Sequence, residues 1–298
     1  MTPVAAVIGN FQGEHLLGDV LGSLYAQTHR PAETIVVDGG STDASITVAE
    51  AHGVRVLRES NKGLAYLYQR GAEGADSAYV LLLNNDLALE PDCVELLAGA
   101  LDADETRFAA DATQVAWEDG RLVHGRTTIR RGALLREFIP GLHLEHDVPA
   151  RSTLLVPAAN GAAMMVRRDM LLDLGGFDET FFMEWEDLDL CWRAWLRGWP
   201  SVYVPAARVR HRVGAVTTAK LRPKRLASSH HNMVRFALKC LPPAAVARVV
   251  TGELLRLPRH PRVIAPALAR AVGELPEILR ARRAIRPSRS VYEELLAL

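Results

Sequence analysis

The chain has 298 residues, 49% of them hydrophobic, which is enough to bury the core of one large domain or two small ones. Its formal net charge is zero, but residues 1–204 hold 16 Lys and Arg against 30 Asp and Glu, whereas residues 205–298 hold 19 against 5. Three widely spaced cysteines exclude a disulfide framework and a cysteine-rich metal site, and no apolar run of about 18 residues is present to span a bilayer.

Short apolar segments alternate with helical patterns over the first hundred residues. This alternation predicts an α/β fold, a parallel sheet with helices on both faces. Ligands of such sheets bind beyond the carboxyl ends of the strands, so the polar residues that follow the strands are candidates for a site. The predicted strands are 4–8, 34–38, 54–57 and 78–84, the predicted helices lie within 14–27, 39–53, 63–75 and 90–103, and the candidates are Asn10, Asp38, Asn61, Asn84 and Asp86.

The pattern is less regular after residue 107, where a strand-like segment precedes a stretch rich in loop residues over 118–150. Apolar residues at three- and four-residue spacing predict a helix over 183–198, followed by short strands at 201–204 and 207–211. Beyond about residue 218 the pattern is helical, interrupted by prolines. We therefore predict a body of residues 1–217 and a basic helical extension of residues 218–298.

Two strand ends carry oxygen-bearing side chains. Asp38 precedes Gly39 and Gly40, so its carboxylate can accept hydrogen bonds from a nucleotide; equally, it can cap a helix that begins near Ser41. Asn84 and Asp86 follow a buried aliphatic run, and their side-chain oxygens are ligands that suit Mg²⁺ or Mn²⁺. An Asn-Asn-Asp turn without an ion also fits the same residues.

Four carboxylates are crowded within six residues, at positions 184, 186, 187 and 189. The positive end of a helix dipole favours one or two of them, but four at this spacing repel one another. Such crowding beside apolar rings raises proton affinity, so one of these groups is a candidate general base.

Five segments, in a fixed order, carry a resemblance to a known family. They are "SLYAQTHRPAETIVVDGGSTDAS" (23–45), "NKGLAYLYQRG" (61–71), "LLLNNDLALEP" (81–91), "NGAAMMVRRDMLLDLGGFDETFFMEWEDLDLCWRAWLRGW" (160–199) and "VRH" (209–211). Through them the chain resembles the GT-A-type nucleotide-sugar glycosyltransferases of glycosyltransferase family two, in particular the bacterial rhamnosyltransferase-like branch. The resemblance implies a GT-A fold, a Rossmann-like and mostly parallel sheet flanked by helices, to which the helical extension is added at the C-terminus.

The resemblance also implies roles for particular residues. Asp187, with Glu186 before it, matches the catalytic base, and Asp86 matches the last acid of the family's D-x-D element, which binds Mn²⁺ or Mg²⁺. The first acid of that element is replaced by Asn84, so metal binding depends more heavily on Asp86, with His211 as a further ligand. The other implied positions are Asn10, Asp38, Gly39, Asn61, Lys62, Asn84 and Asn85 for the nucleotide-sugar, and Asn160, Gly161, Glu184 and Trp185 for the acceptor.

The activity implied is inverting transfer from a nucleotide-diphospho-sugar, dTDP-rhamnose first and a UDP-sugar next, to a glycan or lipid-linked acceptor in cell-envelope polysaccharide synthesis. A sugar-nucleotide pyrophosphorylase is one alternative, disfavoured because "GNFQGEHL" after the first strand lacks the basic residues of that class. A non-catalytic nucleotide-sugar-binding module is the other.

The excess positive charge of the extension predicts that it contacts an anionic partner. Its aliphatic and arginine-rich composition suits a helix pair on an anionic membrane, whereas packing on the acidic body or on a second subunit of a homo-oligomer is the alternative. No nucleic-acid recognition motif is present. Because the N-terminal segment lacks the features of a signal peptide, we expect a cytoplasmic protein, attached peripherally to the inner face of the membrane.

Overall fold

A computed structural model describes residues 1–130, 139–143, 152–212, 214 and 222–298. The strands are β1 (Val4–Asn10), β2 (Glu33–Asp38), β3 (Arg55–Arg58), β4 (Tyr79–Asn84), β5 (Leu87–Leu89), β6 (Ala109–Ala116), β7 (Leu122–His124), β8 (Arg126–Arg130), β9 (Ile139–His143), β10 (Leu154–Val156), β11 (Ala163–Arg167) and β12 (Ser201–His211). The helices are α1 (Leu17–Tyr25), α2 (Ser45–Ala51), α3 (Leu64–Gly74), α4 (Cys93–Asp102), α5 (Arg168–Asp173), α6 (Glu186–Trp195), α7 (Arg222–Cys240), α8 (Pro243–Arg256), α9 (Pro261–Gly273), α10 (Leu275–Ile285) and α11 (Arg289–Ala297).

A mixed sheet forms the centre of the molecule, in the order β10-β12-β6-β11-β4-β1-β2-β3. The pairs β4–β1, β1–β2, β2–β3 and β6–β12 are parallel, whereas β11 runs antiparallel to both β4 and β6. The mostly parallel sheet flanked by helices is therefore confirmed. The insertion of β11 joins the first four strands to the later ones in one layer.

Each face of the sheet is covered because the strands alternate their side chains. Val7 and Val37 point into a core shared with α3, α6 and α7, while Ile8 and Val36 point into a second core formed with α1 and α4. Full burial of side chains of this size stabilises the fold by about 1.5–3 kcal/mol each. The two cores hold the carboxyl edge of the sheet rigid, which is where the polar strand ends lie.

Three predictions about the later elements were wrong in detail. The strands predicted at 201–204 and 207–211 are one strand, β12, whose register against β6 shifts between Val204 and Arg208. The stretch 118–150, expected to be loop-rich, contains β7, β8 and β9, with residues 131–138 and 144–150 outside the described residues. The helix predicted over 183–198 begins only at Glu186 and ends at Trp195.

The C-terminal extension packs on the body through charge as well as apolar contact. Lys239 of α7 pairs with Asp178 and lies 2.7 Å from Asp189 of α6, and Arg235 is 3.1 Å from Asp178. Burial alone would raise the pKa of Asp178, but these two cations hold it well below its usual range. Part of the basic charge thus docks on the acidic body, one of the two outcomes weighed above. The predicted boundary at 217/218 lies outside the described residues.

In the part of the chain that the structure describes, no helix combines the length and hydropathy needed to cross a membrane.

Candidate active site

Three neighbouring strands end side by side at the carboxyl edge of the sheet. Asn10 is paired in register with Asp38, and Gly9 with Asn84, because β1 lies between β2 and β4. The strand-end residues singled out by the sequence therefore lie on one edge, as the parallel topology requires.

Asp38 is buried, and both of its carboxylate oxygens have partners. Oδ1 accepts hydrogen bonds from the backbone N–H groups of Gly40 (3.0 Å) and Ser41 (2.8 Å), and Oδ2 accepts from the Ser41 hydroxyl (2.6 Å) and the Asn10 amide (2.7 Å). Since α2 begins at Ser45 rather than near Ser41, Asp38 organises the turn after β2 and does not cap the helix.

The loop that follows β3 brings Asn61 and Lys62 to the same edge, with both side chains exposed. Its last residue, Gly63, has φ +107°, and a Cβ there would lie 2.2 Å from the carbonyl oxygen of Phe182. The next amide, of Leu64, donates to that same oxygen at 3.1 Å. The loop of residues 59–63 is therefore fastened to the segment that leads into α6.

Asn85 and Asp86 form the turn that follows β4 at the carboxyl edge of the sheet. The Asn85 amide donates to Oδ1 of Asn10 at 2.7 Å, which ties this turn to the Asp38 network. Oδ1 of Asp86 lies 3.3 Å from Nε2 of His211, at the end of β12, yet it is buried and accepts no hydrogen bond from the described residues.

A series of hydrogen bonds connects the Asp86–His211 pair to Asn160, in the segment before β11. Nδ1 of His211 lies 2.8 Å from Oε1 of Gln114, and the Gln114 amide donates to Oδ1 of Asn160 at 2.9 Å. The backbone N–H of Asn160 in turn donates to Asp111, whose other oxygen is 3.1 Å from the ring of His124. Gln114, Asp111 and His124 were not singled out by the sequence. For Asp111 and Gln114 the available signal was a polar side chain inside the Ala-rich, buried β6, whereas His124 lies in β7 and had no such signal.

Asp187 lies beside Asn160 and Gly161. Its Oδ2 accepts a hydrogen bond from the Gly161 N–H at 2.9 Å, and its Oδ1 accepts from the Leu188 N–H at 2.7 Å. A Cβ at Gly161 would stand 3.4 Å from that of Asp187, so the glycine permits the close approach. The predicted base and two predicted acceptor residues are thus brought together.

Tyr68 of α3 lies at the centre of these groups and was also missed. Its hydroxyl is 2.8 Å from the carbonyl oxygen of Gly161 and 3.0 Å from Oδ1 of Asn84. Burial, followed by the negative charges of Glu186, Asp86 and Asp187, raises the pKa of this phenol well above its ordinary value. The Tyr68 hydroxyl therefore interacts electrostatically with Asp86, after β4, and with Glu186 and Asp187, at the start of α6.

The turn before α6 differs from the predicted helix. Glu184 and Trp185 have φ of +64° and +75°, the left-handed region, which costs a non-glycine residue about 1–2 kcal/mol. Glu184 therefore shares no helix face with Leu188. The Trp185 indole packs on Phe236 of α7 at 5.6 Å and donates from Nε1 to Ser229 at 3.3 Å; its predicted acceptor role stays a prediction.

The two carboxylates that open α6 have raised proton affinity. Burial, reinforced by the charge of Asp187, raises the pKa of Glu186 to about 8, and Oε2 of Glu186 is buried with no hydrogen bond from the described residues. Burial also raises the pKa of Asp187, while its bonds from Gly161 and Leu188 lower it. Both acids therefore bind a proton more tightly than ordinary carboxylates do.

Asp86 and His211 fit a divalent cation. A buried carboxylate oxygen that accepts no hydrogen bond from the described part of the chain faces an imidazole nitrogen, and carboxylate and imidazole are two of the ligand types that Mn²⁺ accepts. Among the described residues, no group of three or more His, Cys, Asp or Glu side chains is placed to hold a metal. A cation on this pair would thus need further oxygens, which a diphosphate provides.

Comparison with known proteins supplies the remaining evidence. Residues 6–174 match the family described as "Glycosyl transferase family 2". The chain is 30% identical over 260 residues to an N-acetylglucosaminyl-diphospho-decaprenol L-rhamnosyltransferase of Mycobacterium tuberculosis, an alignment that covers 78% of this chain and 83% of the relative.

Two solved structures have the same architecture. A GalNAc-T7 crystal structure with UDP, GalNAc and Mn²⁺ matches with a TM-score of 0.64 at 18% identity, covering 82% of this chain; the chain spans only 49% of that protein. The mannosyltransferase PcManGT of Pyrobaculum calidifontis, in complex with GDP-Man and Mn²⁺, matches with a TM-score of 0.60 at 17% identity, covering 99% of this chain and 83% of that one. The predicted GT-A fold is confirmed.

Proposed function

Because the chain belongs to glycosyltransferase family 2, we propose that it transfers a sugar, with inversion, from a nucleotide-diphospho-sugar to a hydroxyl of a lipid-linked saccharide in cell-envelope polysaccharide synthesis. The observation that carries this proposal is the convergence of three groups on one sheet edge: the Asp38 network, the Asp86–His211 pair and the Asp187 carboxylate. Nucleotide, diphosphate and acceptor each require one of these groups.

The donor half extends from Asp38 to Asp86. We assign the nucleotide to the turn of Asp38 and Gly39, with Asn10, Asn61 and Lys62 around it, and the diphosphate to the region of Asn84 and Asn85. The residues Asp86 and His211 would hold Mn²⁺ or Mg²⁺. When bound, such an ion offsets the negative charge of the departing diphosphate.

The acceptor half is built around Asp187. Each of its oxygens keeps a lone pair after accepting one backbone hydrogen bond, so either can take the proton of an acceptor hydroxyl as that oxygen attacks the anomeric carbon. The Gly161 and Leu188 amides hold the carboxylate in one orientation. Burial raises the pKa of the neighbouring Glu186, which reduces the negative charge that this side chain places beside Asp187. Asn160, Glu184 and Trp185 complete the proposed acceptor surface.

The substrates are proposed from a relative. The Mycobacterium tuberculosis protein named above is an L-rhamnosyltransferase acting on a polyprenyl-diphosphate-linked sugar, which supports dTDP-rhamnose as the donor and a lipid-linked saccharide as the acceptor of this chain. UDP-sugars are the second choice of donor.

A lipid-linked acceptor places the enzyme at a membrane surface. Arg259, Arg262, Arg280 and Arg283 of the extension are exposed, and so are large apolar side chains of α8, α9 and α10: Leu254, Leu255, Val272 and Leu279. Exposed arginine together with exposed leucine suits the interface of an anionic bilayer, so we propose peripheral attachment on the cytoplasmic side. Flotation with anionic vesicles at low and high salt tests it, and failure to bind at low salt contradicts it.

A donor screen tests the function itself. The protein is incubated with Mn²⁺ and dTDP-rhamnose, UDP-sugars or GDP-mannose, and its melting temperature is recorded, because ligand binding stabilises the folded state by mass action. Transfer to a polyprenyl-diphosphate-linked N-acetylglucosamine is then followed with the donor that gives the largest shift. Formation of a nucleotide sugar from a nucleoside triphosphate, or binding without any turnover, would contradict the proposal.

A further inference from the structure

We propose that Asn232, in α7 of the C-terminal extension, is a positioning residue for the carboxylates of Glu186 and Asp187; the proposal rests on the transfer reaction given above. The Asn232 side chain is only 1% exposed. It belongs to α7 of the extension, whereas the two carboxylates lie in the first turn of α6.

Both amide protons of Asn232 are used on the turn before α6. Nδ2 donates to the carbonyl oxygen of Met183 and to that of Glu184, each at 2.9 Å. These carbonyls belong to the turn whose left-handed residues, Glu184 and Trp185, come directly before the two carboxylates. A left-handed conformation at two successive non-glycine residues persists only where surrounding groups fix it, and these two hydrogen bonds do so.

The turn sets the position of the base because the helix begins within it. The Asp189 N–H donates to the carbonyl oxygen of Trp185 at 2.9 Å, the first hydrogen bond of α6. Rotation of the peptides at residues 183–185 therefore rotates the first turn of the helix. That movement separates the Asp187 carboxylate from the Gly161 amide, its partner on the other side of the edge.

The orientation of the Asn232 amide is itself fixed. Its Oδ1 lies 2.9 Å from Nδ1 of His231, whose Nε2 lies 2.9 Å from Glu274 of the segment joining α9 and α10. Glu274 also pairs with Arg235 at 3.0 Å. The amide nitrogen faces the turn because the two carbonyl oxygens there can only accept, and the amide oxygen therefore faces the His231 ring.

The test replaces Asn232 with Asp, which has the same shape but no donor for the two carbonyls. We expect kcat to fall about 10–100-fold, as for a reacting group displaced by a fraction of an ångström to 1 Å, while the donor KM stays at the wild-type value. A second variant, Asn232→Ala, removes the donors without adding charge. In Asn232→Ala, too, we expect a lower kcat with an unchanged donor KM.

Arg282 provides the matched control. Its guanidinium also donates to two backbone carbonyls, those of Leu238 (2.8 Å) and Leu241 (2.7 Å), but at the far end of α7. Arg282→Ala should lower the melting temperature and leave kcat unchanged. Equal loss of kcat in Arg282→Ala and in the Asn232 variants would overturn the proposal, because stability alone would then explain the loss.

Hydrogen exchange separates this proposal from the function on which it rests. The amides of residues 186–190 should exchange faster in Asn232→Asp than in wild type, and at the wild-type rate in Arg282→Ala. Unchanged exchange overturns the positioning role whichever donor the enzyme uses. A wild-type protein that transfers no sugar, with faster exchange in Asn232→Asp, would overturn the proposed function and support the contact.

Discussion

Asp38 and Glu186 are both buried carboxylates at the same sheet edge, yet their surroundings are opposite. Asp38 has four hydrogen-bond donors shared between its two oxygens, whereas Oε2 of Glu186 has none among the described residues. Burial of an ionised carboxylate is tolerated only when hydrogen bonds replace water. The turn at Asp38, in the proposed sugar-donor half, is therefore fixed by hydrogen bonds, whereas burial raises the proton affinity of Glu186 in the proposed acceptor half.

The carboxylates of Asp38 and Glu186 therefore suit different roles in the site. A fully hydrogen-bonded carboxylate such as Asp38 fixes the shape of its turn, the turn to which we assign the nucleotide. An incompletely hydrogen-bonded carboxylate next to a second acid has a raised proton affinity, which a transfer reaction can use. Substitutions on the acceptor side should therefore affect rate, and substitutions on the donor side should affect stability and binding.

The largest effect is expected from Asp187→Asn. The amide cannot take a proton, so turnover should fall by about 10²–10⁴-fold, the usual contribution of a general base, while donor binding survives. Initial rates measure turnover, and donor-induced shifts in melting temperature measure donor binding. Asp173→Asn, at an exposed pair with Arg197, is the control. Near-full turnover in Asp187→Asn would mean that another group is the base.

Asp86→Asn should have the next largest effect. Loss of the anionic ligand should abolish the extra stabilisation that Mn²⁺ gives the nucleotide-bound protein and lower turnover about 100-fold, equivalent to the few kcal/mol that a metal contributes. Chelation of the metal in wild type should mimic it. The exposed Asp76→Asn serves as the control. An undiminished response to Mn²⁺ in Asp86→Asn would place the cation elsewhere.

Glu186 should make the protein less stable as the pH rises. Its pKa is about 8 in the folded state, against 4.5 for an ordinary glutamate in the unfolded chain, so between these pH values only the folded chain binds the proton. The free energy of unfolding should fall across that interval by up to about 1.4 kcal/mol per pH unit. Urea unfolding at several pH values measures the slope, and Glu186→Gln should flatten it. Equal slopes in both proteins would disprove the raised pKa.

The smallest effect is expected on the donor side, from Ser41→Ala. The substitution removes one of four donors to Asp38, and the loss of one hydrogen bond to a charged group costs about 1–3 kcal/mol. Chemical denaturation should show this decrease in the free energy of unfolding, with turnover at saturating substrates unchanged. A large loss of kcat without a loss of stability would contradict the distinction between the two sides.

The central strands and the clustering of their polar ends could be predicted from sequence. Buried runs such as 78–84 have one compatible structure when helical segments separate them, and parallel topology then brings Asn10, Asp38 and Asn84 together. The bulged β12 and the short β5 were not predictable in this way, because their pairing depends on residues distant in the chain. The assigned roles of the site residues stay predictions.

The turn before α6 shows the limit of local patterns. The spacing of Trp185, Leu188 and Trp192 fits a helix, yet Glu184 and Trp185 adopt left-handed conformations. The cause is tertiary, since Asn232 and Phe236, some 50 residues away, bind the turn and the Trp185 ring. The charge asymmetry of the chain predicted an anionic contact for the extension, but it gave no indication that a neutral amide in α7 would bind this turn.

Gly63 has a mechanical consequence. A Cβ at this position would lie 2.2 Å from the carbonyl oxygen of Phe182, and the following amide donates to that same oxygen. The loop of residues 59–63 therefore cannot shift without disturbing the peptide that leads into α6. On the function proposed above, a nucleotide bound at Asn61 and Lys62 would act on the segment that carries the Asp187 carboxylate.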